Sequence, residues 1–424
     1  MKPLVPLSLI ALFVLTASAQ PLPLAATAEP AQRHASVAAS AHGYAVVWRE
    51  DTSAISSSAY LRRFSAAGTP FDVAPIPIVT LITPLGYGFL PAEVTIAANA
   101  STYIVGWSEP FDGFVFRRMA ADSGAWIDAQ PISLGFALDR FASNGTDVVA
   151  AGFTSCGANI QCLQARRISL AGDPQVSAPV TLRIPKTDDF YMKESTIASN
   201  GSDYLVAWAE APLCKSVDLC SGPPPAQVYA LRVRADGTPI DPAPIVLENS
   251  NRPASGLSIA WAGGRYLIVW NIYGAIVGTR ITSDGAVLDR DPTAGGGGVL
   301  LAQADPSRLN PITGTFIDAA LAGLENRFVL LLRHDAEAFP NPLPPVHTSS
   351  AESVTFAADA DLATVITLPR TPLFKPDDLL GDSLALATNG RSLAVAFTAG
   401  ETNSMHVFLR LLEPPPPARR RSAH

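Results

Sequence analysis

Charge is scarce in this sequence: Asp, Glu, Lys and Arg make up only 16% of it, and the balance is a net −7. Nucleic-acid binding relies on clustered Lys and Arg. The only such cluster, Arg419-Arg420-Arg421, stands in the last few residues, so no nucleic-acid partner is expected. Histidine is equally thin. The six residues, His34, His42, His334, His347, His406 and His424, show no metal-ligand spacing, and no metal or other cofactor is expected. No G-x-S-x-G nucleophile elbow occurs, and Gly295 to Gly298 lacks the Lys-Ser/Thr that a phosphate-binding loop requires.

Long apolar runs are also missing beyond the N-terminus. There, Lys2 precedes an apolar stretch from Leu4 to Leu15, followed by Ala17-Ser18-Ala19, a small-residue cleavage site. The stretch is shorter than the ~20 residues a spanning helix needs. We therefore expect a signal peptide over residues 1–19 and no transmembrane segment after its cleavage. The expected location is secreted, periplasmic or on the cell surface.

Only four cysteines are present, as Cys156/Cys162 and Cys214/Cys220, with the same spacing in both pairs. In an exported chain two local disulfides are expected, since Cys-x5-Cys is not a usual zinc spacing and no His accompanies either pair.

What the sequence has is Val, Ile, Thr, Pro and Gly, a mixture that favours strands and turns. It also repeats. A run from an aromatic or apolar residue to a second aromatic recurs as Tyr44-Ala-Val-Val-Trp48, Tyr103-Ile-Val-Gly-Trp107, Val149-Ala-Ala-Gly-Phe153, Tyr204-Leu-Val-Ala-Trp208 and Tyr266-Leu-Ile-Val-Trp270. Two weaker copies, Phe328-Val-Leu-Leu-Leu332 and Leu393-Ala-Val-Ala-Phe397, bring the count to seven. Asn-Gly turns precede several of them, as at Asn144, Asn200 and Asn389, because both residues accept positive φ.

An arginine column follows on the third strand: Arg63, Arg118, Arg167, Arg232, Arg280 and Arg410. A residue recurring in six copies is read as scaffold, paired with a neighbouring strand. The fourth strands begin with or contain proline, as in Pro75-Ile-Pro-Ile78 and Pro244-Ile-Val-Leu247, which places them on an outer edge. In the sixth copy the third and fourth strands are predicted at Ser353 to Ala357 and Leu362 to Leu368. The seventh copy lacks a fourth strand, and Pro21-Leu-Pro-Leu-Ala-Ala26 has that pattern. The expected fold is all-β: a seven-bladed β-propeller of four-stranded antiparallel blades over residues 20–413, with an N-terminal strand closing the last blade. Residues 414–424 are expected to be a Pro/Arg-rich disordered tail.

The pattern Ala-Ser-Asn-Gly-x-x-Tyr-Leu-Val-x-Trp followed by Arg-x-x-x-Asp-Gly-x-Pro resembles repeats of exported bacterial proteins expected to form β-propellers. The resemblance covers essentially the whole mature chain and implies the fold, not an activity.

Strand order divides the expected ring into two ends. One has short turns; the other has the long connections, where binding usually resides. On the second lie Glu50, Glu109 and Glu210, each two residues past the Trp, with Tyr87, Phe111, Phe190, Tyr191 and Phe374 as aromatic platforms. Acids beside rings suit sugars or cations. The leading expectation is a monomeric binding module for an extracellular glycan or protein. The alternatives are a polysaccharide hydrolase or lyase using acids at the ring mouth, and a structural surface protein without a small ligand.

Overall fold

A computed structural model describes residues 16–17, 21–24, 31–53, 56–82, 93–109, 113–157, 160–185, 190–212, 225–249, 252–290, 297–303, 316–338, 346–373, 380–390, 392–400 and 406–413. They form seven antiparallel sheets arranged as the blades of a propeller. Blade one is Ala31–Ser40, Gly43–Ser53, Ser56–Phe64 and Ile76–Ile82; blade two is Val94–Ala98, Thr102–Glu109, Gly113–Ala120 and Ile132–Ser133. Blade three is Ala137–Ser143, Asp147–Gly157, Ile160–Ser169 and Val180–Arg183; blade four is Phe190–Ser199, Tyr204–Pro212, Gln227–Val233 and Ile245–Glu248. Blade five is Ser255–Ala262, Arg265–Ile272, Ala275–Thr282 and Val299–Gln303; blade six is Phe316–Leu324, Arg327–Ala338, Val346–Ala357 and Thr371–Pro372. Blade seven takes three strands from the C-terminal region, Leu380–Thr388, Leu393–Ala399 and His406–Glu413, and its fourth, Leu22–Pro23, from the N-terminal region. Thr16–Ala17 pairs along the same edge. No helix among the described residues is long and apolar enough to cross a membrane.

Alternation in the second strand builds the core. In the five-residue run of that strand beginning at Tyr44 or its equivalent, the first, third and fifth residues face the preceding blade and the second and fourth the following one, so the buried side chains fall into seven clusters, one at each junction between blades. The tyrosine at the first position is an inter-blade tie. Tyr103 reaches the Gly43 carbonyl (3.3 Å), Tyr204 that of Asp147 (3.2 Å) and Tyr266 that of Asp203 (3.4 Å), while Tyr44 meets Ser392 Oγ (2.7 Å). Burial pushes the Tyr103 phenol up to about 12, so it stays a donor.

The arginine column is the second tie, and it reaches the other way. Arg63, Arg118, Arg232 and Arg280 each form a forked ion pair with an Asp in their own blade: Asp72, Asp128, Asp241 and Asp289. The remaining nitrogen of each guanidinium donates to carbonyls of the next blade's turn: Ala121 and Asp122, Leu170 and Gly172, Ser283, and Ala358 and Ala360.

The register corrects three sequence expectations. In blade three the tyrosine position is Val148, not Val149, because Val148 stands opposite Ile168 as Tyr204 stands opposite Val233. The tryptophan position is therefore Gly152, over which Phe136 lies, and Phe153 faces blade four instead. Arg410 likewise falls one residue outside the arginine column. Leu411 holds that position opposite Ala394 and packs with Leu22 on Gly68 of blade one. A one-residue slip changes the face of every side chain, so near-matches in sequence become opposite faces in space.

In blade six Leu362–Val365 is a helical turn and not a strand. Asp361 caps it by accepting from Ala363 N (3.0 Å), and Leu362 and Val365 enter the core against Leu301 and Ala302 of blade five. The outer strand is Thr371–Pro372, and the third strand begins earlier than predicted, at Val346.

Candidate functional site

Each connection between second and third strands, and each passage from one blade to the next, opens at the same end of the ring. Glu50, Glu109 and Glu210 sit at that end in equivalent register, and each accepts the indole N–H of its own tryptophan: Trp48 (3.0 Å), Trp107 (3.0 Å) and Trp208 (2.9 Å). A buried indole N–H needs an acceptor, and the residue two further along the strand points to the same face. Glu50 also accepts from Gln32 (3.2 Å), whose amide oxygen takes Val407 N of blade seven (2.7 Å). Burial pushes the Glu50 carboxyl up despite these donors. Glu210 is buried and gripped by Arg183 of blade three at 2.5 and 2.9 Å; the bond holds the guanidinium above its ordinary value.

No described contact joins two of the three glutamates. Blade five shows what they do by lacking one: Ile272 occupies the glutamate position, and Trp270 Nε1 is buried with no partner among the described residues.

Phe190 and Tyr191 are half-buried at the start of blade four's inner strand, and Tyr191 packs on the core shared with blade five. Tyr87, Phe111 and Phe374 lie outside the described residues. Cys156 and Cys162 form a disulfide across the second connection of blade three, with Cα atoms 5.8 Å apart; Cys214 and Cys220 lie outside the described residues.

The inner strands hold a feature that sequence reading missed. β-Bulges fall between Leu138 and Arg140, Met192 and Glu194, and Ser255 and Ser258, near the open end of blades three, four and five. A bulge frees backbone N–H groups, and acids from the preceding blade collect two of them. Asp139 accepts Ser195 N (2.6 Å) and Oγ (2.8 Å), and Glu194 accepts Leu257 N (3.3 Å). Desolvation pushes both carboxyls up, and a neighbouring acid adds to it in each case, Glu93 beside Asp139 and Asp139 beside Glu194. Glu194 Oε1 is buried without a partner among the described residues. Broken alternation in Leu138-Asp139-Arg140 and Met192-Lys193-Glu194 is the signal that could have found them.

Blade six adds a third polar group. Glu352 holds His334 Nε2 (2.9 Å) and Arg370, each about one-quarter exposed. Desolvation pushes its carboxyl up, but the two hydrogen bonds and their charges outweigh it, and the net shift is downward. Among the described residues no group of three His, Cys, Asp or Glu could hold a metal ion.

The molecule is thus a closed seven-bladed propeller whose repeated side chains tie blades together and whose unrepeated polar side chains gather at the loop-rich end. No protein-family model matches the chain, and no curated protein matches it. Among solved structures it is similar to an ulvan lyase of polysaccharide lyase family PL25, with a TM-score of 0.54 and 11% identity over 95% of this chain and 94% of that one. An ulvan lyase structure holding a bound saccharide of glucuronate and sulfated rhamnose gives 0.54 and 12% over the same shares. At this identity the likeness establishes the fold alone.

Proposed function

We propose that the protein is a binding module that takes an extracellular glycan on its loop-rich end. One observation carries this reading. At the opposite end the same Arg–Asp pair recurs in four blades and serves the scaffold, whereas at the loop-rich end the charged side chains change from blade to blade: Asp139, Lys193 and Glu194 near the axis, Arg183 and Glu352 farther out. Ligand recognition is needed once per molecule, so it belongs where the repeat breaks. That an ulvan lyase of this fold has been captured with a saccharide supports a glycan as the ligand class.

Binding is favoured over turnover because Glu50, Glu109 and Glu210 are engaged with indoles. A hydrolase or lyase reading rests instead on Asp139 and Glu194, whose raised carboxyls suit proton transfer. A glycan array, with an assay for new reducing ends or unsaturated products on every bound glycan, separates the two. Binding without product is the expected result. Product formation lost in both Asp139→Asn and Glu194→Gln would establish the enzyme, and an array without any bound glycan would sink the binding reading.

A further inference from the structure

A two-residue turn of type I′ between antiparallel strands needs positive φ at both positions, which is why Asn-Gly dominates it. In blade five Ile272 pairs with Ala275, and the turn between them is Tyr273-Gly274, with φ of 50° and 77°. Asn271 Oδ1 steadies it by accepting Gly274 N (3.1 Å). A bulky residue in this region is costly, because its Cβ crowds the following carbonyl. Local geometry gives no reason for a tyrosine where asparagine would sit better.

Glu325, with φ of 47°, provides a control. It is also a strained residue in a turn, but at the short-turn end, and its carbonyl accepts Gly263 N of blade five at 2.8 Å. Its conformation is explained by that bond. Tyr273 has no such compensation: its ring and hydroxyl make no bond or ring contact with the described residues, and it is 70% exposed. It stands at the loop-rich end on a two-residue connection, as short as those of blades one and three, and the neighbouring connections Pro212–Gln227 and Ala338–Val346 are both longer. Strain without a structural return, displaying an open ring on the face where function is placed, is the pattern of a recognition residue.

We infer that Tyr273 is the aromatic platform on which a sugar ring of the bound glycan stacks, an inference that rests on the glycan reading above. A phenol offers an apolar face to the sugar's C–H groups and a hydroxyl at its edge, and only two torsions are frozen on binding. Among the described residues the ring stands alone: Ile272 beneath it is buried, and Gly274 and Ala275 beside it are small. A protein hot spot calls for a packed aromatic centre within a wider apolar surround, so a single ring suits a sugar better.

The test is Tyr273→Asn, with glycan affinity and melting temperature measured on the same preparation. Asparagine accepts the turn, so the melting temperature is expected to rise while affinity for the array-identified glycan falls about tenfold, equivalent to ~1.4 kcal/mol. Tyr273→Phe should keep most of the affinity. A rise in melting temperature with affinity unchanged overturns the platform and leaves the glycan reading standing. A native protein that binds no glycan overturns both, and a protein partner lost with Tyr273→Asn would replace the sugar as the occupant.

Discussion

Two glutamates at the loop-rich end answer oppositely to pH, because one is buried mainly among neutral donors and the other is held by a guanidinium and an imidazole. Burial raises Glu50 above its ordinary value near 4.5. Its contribution to stability is fully present below that value and is lost as pH rises through the folded value. Glu352 is lowered by His334 and Arg370, so its contribution is present above 4.5 and is lost as pH falls through the folded value. Thermal melts between about pH 3 and 8 check this. Relative to the native chain, Glu50→Gln should improve as pH rises, and Glu352→Gln should lose its deficit as pH falls. Parallel pH profiles for the two variants would refute the assignment. Neither behaviour was legible in the sequence: the Trp-x-Glu spacing marks Glu50 as a residue at the open end, but only the strand register shows that spacing to be an indole bond.

At the scale of the element, the arginine column links strands within a blade and turns between blades, and its members differ in how much water reaches them. Exposure of the arginine side chain is 2% for Arg118 and 18% for Arg232. Removing the carboxylate leaves a cation behind, and the cost grows as that cation loses access to solvent. Asp128→Asn is therefore expected to cost about 3–5 kcal/mol and Asp241→Asn about 1 kcal/mol, read from denaturant unfolding. Equal losses would mean that burial does not set the value of the tie. The column itself was legible because arginine is conspicuous in an apolar strand, and so were the Asn turns, whose side chains close them on the backbone as at Asn200 (2.9 and 2.7 Å). Blade six departs from the expected strand because, although Leu362, Val365 and Leu368 fit a strand's composition, Asp361 caps a helical turn there. Blade three was misaligned because Gly152 gives no aromatic marker where Phe136 supplies the ring from elsewhere in the chain.

For the whole molecule, the decisive question is what keeps a ring of seven similar sheets from opening, since the described blades hold their neighbours mainly through side chains, with single backbone bonds such as Ala41 N to Ala100 O (3.0 Å), and among the described strands only those of one blade join distant parts of the chain by pairing. Leu22 and Pro23 pair with Leu409 and Phe408, Leu24 N donates to Val407 O (3.1 Å), and the Leu24 side chain is wholly buried between blades seven and one. Arg62 of blade one adds a bond to the Leu24 carbonyl (2.7 Å). The closing strand therefore does two things: it covers the edge of Leu409, and it fills the junction over which the first and last blades meet. Burial of Leu24 alone is worth about 1.5–3 kcal/mol, and opening the junction would expose Leu409 and Leu411 as well. Deleting residues 21–24 should lower the melting temperature by several degrees and raise susceptibility to proteolysis at the junction of blades seven and one, while deleting 414–424 should leave both unchanged. Calorimetry with limited proteolysis reads the difference. If the two truncations melt alike, closure comes from the side-chain ties at Tyr44 and Leu411, and the N-terminal strand is a passive cover.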